Sequence, residues 1–155
     1  MTRLPYFLII SFFCAGLAGC ASSDSGRPSF DESTLPDTAY EIHLYTDRSP
    51  DDFLLYIRQR LETEGFNIGE YSSVKKTVWA LNPQIGRGID LTMFASTEYD
   101  PVTEKTLAKL SGILGNEGGI AQWSTNDDEQ AYAFRVMAEY CYKMKYDNLV
   151  YAVQK

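Results

Sequence analysis

Few residues of this chain are equipped for chemistry, and they are scattered. His43 is its only histidine, set in the stretch AYEIHLYT, where Glu41 and Tyr45 stand two positions to either side. A carboxylate beside an imidazole is part of a general-base arrangement, so one reading is an envelope hydrolase using His43 with nearby carboxylates. Its companions are missing: the sequence has neither the G-x-S-x-G elbow of a serine hydrolase nor the paired histidines of a metalloprotease. One histidine and no cluster of free cysteines cannot assemble a zinc site of nitrogen and sulfur ligands. No metal and no cofactor is expected. Asp51, Asp52, Asp127, Asp128 and Glu129 fall in the first turns of expected helices, where the helix dipole accounts for them. The run NDDEQ lacks the alternating oxygen ladder of a calcium loop.

Two glycine-rich stretches, GRG at 86–88 and GNEGG at 115–119, lack the lysine and hydroxyl of a phosphate loop and read as turns. The first raises Arg87 on a hairpin tip, within reach of an anionic partner. The aromatic residues are the least ordinary feature. Of 11 tyrosines, Tyr140, Tyr142 and Tyr146 crowd one expected helix, while Trp79 and Trp123 sit on expected strands. Such side chains suit interfaces, being apolar along one edge and hydrogen-bonding at the other. They could equally stack on sugar rings, or pack the helix against the sheet. Arg87, Trp79, Trp123, Tyr140 and Tyr142 are the candidate contact residues.

Of three cysteines, Cys141 shares helical spacing with Phe134, Met137 and Met144 and reads as buried filler. The other two belong to the opening MTRLPYFLIISFFCAGLAGC. Arg3 and the apolar run to Cys14 have the pattern of an export signal, and the run falls short of the ~20 apolar residues that span a bilayer. The ending LAGC, 17–20, resembles the lipobox of bacterial lipoproteins. That resemblance implies removal of residues 1–19, diacylglycerol on the Cys20 sulfur and acylation of the new amino terminus. With Ala21 following, it also implies an outer-membrane address; the domain itself is expected to face the periplasm. Cys141 is then left alone, and no internal disulfide is expected.

Loss of Arg3 leaves 13 of the 14 basic residues against 21 acidic ones, a formal charge of −8. That balance argues against nucleic acid, whose binding rests on phosphate neutralisation. Residues 20–37, rich in Ser, Asp, Gly and Pro, read as the lipidated cysteine and a flexible tether, unless Phe30 and Leu35 strap onto the domain. Residues 38–155 read as a single α+β domain.

Within that domain, 40–45 alternates as a strand. A helix follows, with Ser49 as cap, Pro50 in its first turn, Phe53, Leu54, Ile57 and Leu61 as its buried stripe and Gly65 as its stop. A second strand is most secure at 74–81 and makes a hairpin with a third at 89–96. Asp100 and Pro101 open an expected second helix with Leu107, Leu110 and Leu114 as its face, followed by a short strand at 120–124. This order is a ferredoxin-like βαββαβ plan, extended by a C-terminal helix capped at Asn126 and a last strand near 148–154. The fold class expected is a two-layer sandwich with an antiparallel sheet, its second face open or covered by the extra helix. The function expected is a non-catalytic protein-binding or assembly module at the outer membrane, with the hydrolase and a glycan- or small-ligand-binding lipoprotein as alternatives.

Overall fold

Local signals set most of the elements in the computed structural model, which describes residues 29–115 and 118–154. The expected signal segment and Cys20 lie outside the described residues. Ser49 accepts from the Asp52 amide and caps α1 (Pro50–Thr63), with Pro50 in the first turn and Phe53, Leu54, Ile57 and Leu61 buried. Flanking it are β1 (Ala39–Thr46) and the hairpin β2 (Asn67–Ser72) and β3 (Thr77–Asn82). Next come β4 (Leu91–Asp100), β5 (Lys105–Leu114), the two-residue β6 (Gly119–Ile120), α2 (Glu129–Tyr142) and β7 (Asn148–Val153). The strands form one antiparallel sheet in the order β2-β3-β4-β5-β1-β7, with β6 added to β5.

The molecule is therefore α+β, but the ferredoxin-like plan does not hold. Residues 100–114, expected as its second helix, supply a turn and β5, and the strand order differs. Asp100 caps that turn instead of a helix, accepting from the Val102 amide at 2.9 Å and the Thr103 hydroxyl at 2.8 Å. Of the strand expected at 74–81, residues 74–76 are turn and 77–81 belong to β3, which pairs with β2 before that turn, and β4 starts at Leu91, leaving Ile89 in the preceding loop. Asp128, not Asn126, caps α2 by accepting from the Ala131 amide. Trp123 follows β6 in irregular chain, although its amide donates to the Ala39 carbonyl at 2.7 Å.

A bulge between Ala39 and Glu41 resets the phase of β1, so that Ala39 and Ile42 are both buried and Tyr40 leaves the inward face. Beyond it, Ile42 and Leu44 join Val78, Ala80, Leu91, Met93, Ala108 and Leu110 on one face of the sheet. Both helices pack there. α1 lies against β2 to β5 and α2 against β5 and β1, and Phe134, Met137 and Cys141 enter the same core. Of the two arrangements expected for the second face, open or covered by the extra helix, the described residues leave it open. The described part of the expected tether lies on the domain: Leu35 is buried, and the Phe30 ring meets Tyr142 edge-on at 5.8 Å. No helix among the described residues is long and apolar enough to cross a membrane.

Candidate functional site

With both helices on one side, every second residue of the strands is left on a bare face. The ladder registers align these residues in rows across the strands. One row runs Trp79, Phe94, Ser111, Glu41, and the next runs Thr77, Ser96, Lys109, His43, Val150. Strand β3 can place so large a ring as Trp79 because its neighbour β2 gives way. β2 carries a register shift between Ile68 and Glu70, and a Cβ built on Gly69 would come within 2.0 Å of the indole. The ring thus lies over bare backbone, which only glycine provides.

Trp79 and Phe94 line a surface depression of about 330 Å³ with Glu41, Glu70, Lys109 and Ser111 among its other walls. Phe94 remains 38% exposed, and Val150, further along the face, 43%. The polar groups around the rings are partnered. Lys109 meets Glu98 at 2.6 Å, His43 meets Glu41 at 2.6 Å, and Lys75 lies 3.8 Å from Glu70. The hydrogen bond to Glu98 raises the Lys109 pKa and keeps the amine charged. Aromatic side chains ringed by partnered polar groups have the anatomy of a contact surface, an apolar centre inside a polar rim.

His43 does bond Glu41, but across the sheet from it stand Lys109, tied to Glu98, and Val150. Cys141 is fully buried, and burial drives its thiol pKa far upward, so the thiolate needed for reactivity does not form. Among the described residues no three His, Cys, Asp or Glu side chains come together as a metal site.

The candidate contact residues part company. Trp79 lies on the bare face. Arg87 and Trp123 meet in a different cleft, beside α2. Tyr140 packs edge-on against Phe66 at 5.4 Å and Tyr142 against Phe30, both joining the helix to its surroundings. The two tryptophans therefore share no groove. Phe94 was missed by sequence reasoning, although its alternation with the buried Met93 and Ala95 already put it on Trp79's side. Tyr132 and Arg135, which complete the second cleft, were missed as well; their i, i+3 spacing on the helix was the available signal.

Fold and surface together define a class: a single antiparallel sheet, roofed by two helices on one face and offering aromatic side chains on the other. No protein-family model matches the chain, and no curated protein is detectably similar to it.

Proposed function

We propose that this chain is a lipid-anchored, non-catalytic contact module of the bacterial outer membrane. It is acylated at Cys20, faces the periplasm and binds an envelope protein through the bare sheet face around Trp79 and Phe94. The observation that carries the reading is the one-sided roof: two large rings stand on a sheet face that no element of the described chain covers, inside a rim of partnered polar groups. The anchor rests on the LAGC ending and the export-type segment before it. Several acyl chains at one terminus, at ~0.8 kcal/mol per buried methylene, would hold the module stably.

The test combines both halves. Labelled palmitate should enter the protein and be lost in Cys20→Ser. The double variant Trp79→Ala/Phe94→Ala should retain the label and the native circular dichroism while losing a specific crosslinked partner. Loss of neither the label nor the partner would sink the reading.

A glycan ligand is the second reading, favoured by one observation: Trp79 lines a depression flanked by Glu41 and Glu70, and an aromatic ring beside hydrogen-bonding carboxylates can hold a sugar. Saturable binding of a soluble oligosaccharide, abolished by Trp79→Ala, would select it over the protein partner.

A further inference from the structure

The second cleft, about 460 Å³, draws side chains from four separate segments: Glu32 and Ser33 from the N-terminal strap, Arg87 from the β3–β4 loop, Trp123, Ser124 and Thr125 from the chain after β6, and Arg135 from α2. Tyr132 also lines it. The Arg87 guanidinium lies 4.6 Å and the Arg135 guanidinium 5.0 Å from the centroid of that one ring. The Tyr132 hydroxyl donates to the Ile85 carbonyl at 3.0 Å, and a Cβ on Gly86 would come within 2.3 Å of the same oxygen. The ring therefore fixes both the loop that carries Arg87 and the cation stacked on it.

We propose that this cleft binds a phosphate-bearing small molecule, its phosphate held between Arg87 and Arg135 and its body lying against Trp123. Stacking on an aromatic face pre-orients a guanidinium, whose planar fork fits phosphate oxygens two at a time. Two forks from different segments, with the hydroxyls of Ser33 and Thr125 nearby, suit a tetrahedral group with several free oxygens better than a planar carboxylate; the Ser124 hydroxyl is held by Asp128 at 3.3 Å. The cleft lies in the ~300–1,000 Å³ range of small-ligand sites and is larger than phosphate alone requires.

At present each arginine rests on an acid at the rim, Arg87 on Asp127 at 3.2 Å and Arg135 on Glu32 at 3.1 Å. The Asp127 side chain is 74% exposed and that of Glu32 54%, and ion pairs so open to water hold weakly. Arg87 and Asp127 also both adopt the left-handed region, with φ of 52° and 50°, a conformation unfavourable to side chains with a Cβ. The acids act as place-holders that a phosphate displaces. The cleft shares no lining residue with the Trp79 depression, so this site and the contact face stand or fall separately.

The chain has two tryptophans, and in full-length protein carrying Trp79→Phe the fluorescence reports Trp123 alone. Titration with inorganic phosphate, glucose 6-phosphate and soluble dihexanoylphosphatidylglycerol should give a saturable change with at least one. Preference for the lipid would point to a headgroup, and preference for the sugar phosphate to a free metabolite. Arg87→Ala and Arg135→Ala should each weaken binding at least tenfold, whereas Asp127→Asn and Glu32→Gln should tighten it. If an alanine variant fails to fold, the lysine variants, which keep the charge and lose the fork, carry the same test. No saturable response to any of the three probes, or a response indifferent to both arginines, overturns the proposal.

Discussion

Gly69 shows how a single side chain's absence shapes the contact face. The Trp79 indole occupies the space where any Cβ at 69 would stand. Gly69→Ala must therefore lift the ring or distort β2, and overpacking of this kind costs ~1–3 kcal/mol. A lowered denaturation midpoint with a red-shifted Trp79 emission is the expected result, read in a Trp123→Phe background; unchanged emission would show that the ring does not rest on residue 69. Cys141 gives a second residue-level test. Because its thiol is fully buried, it should react with a thiol reagent only after denaturation. In protein extracted from membranes, with Cys14 removed and the Cys20 sulfur acylated as proposed, one thiol should titrate. Three would mean an unprocessed, unacylated chain.

Among the elements, α1 and β5 mark what could and could not be read from the chain. In α1 every signal agrees: cap, proline, stripe and terminal glycine each lead to the same element, and all four expected core residues are buried. Residues 100–114 satisfy two patterns at once. Leu107, Leu110 and Leu114 recur at helical spacing, while Ala108, Leu110, Gly112 and Leu114 recur at strand spacing, and Asp-Pro opens a β-turn as readily as a helix. Ten paired positions with β4, across the turn at 101–104, and six with β1, far away in sequence, decide for the strand. The make-up of the bare face was lost to the same unresolved choice, because an expected helix in place of β5 removes the strand whose Ser111 joins Trp79 and Phe94 to Glu41 in one row. Arg87 and Trp123 were identifiable singly from residue type, but their meeting depends on where the β3–β4 loop lies against α2. At the start of α2 the sequence reads with Asn126 as the cap and Asp128 in the first turn, whereas the structure caps the helix at Asp128. Asp128→Ala should cost about 1 kcal/mol of stability by chemical denaturation, as lost N-caps do, while Asn126→Ala should cost much less; the reverse order would return the helix start to Asn126.

At the scale of the whole molecule, an antiparallel sheet roofed on one side concentrates its stability in a single core, and Tyr151 lies at the edge of that core against Phe134, ring centroids 6.2 Å apart. Burial pushes its hydroxyl pKa up from 10.0 to about 12. A group with a raised folded-state pKa contributes stability that is fully present below its unfolded value and fades as pH rises toward its folded one. Unfolding free energy should therefore decline between about pH 10 and 12, and Tyr151→Phe should flatten that part of the profile. A slope unchanged by the substitution would place the titration elsewhere.

The roof also gives the molecule two unlike sides, and the functional claim depends on that difference. The most direct measurement is site-specific photocrosslinking in living cells, with a photoreactive phenylalanine at Phe94 on the bare face or at Leu55, which is 41% exposed on the helical side. The account predicts one discrete protein adduct from position 94, absent from position 55 and lost when Trp79→Ala is added. No adduct from position 94, or the same adduct from both positions, would contradict it.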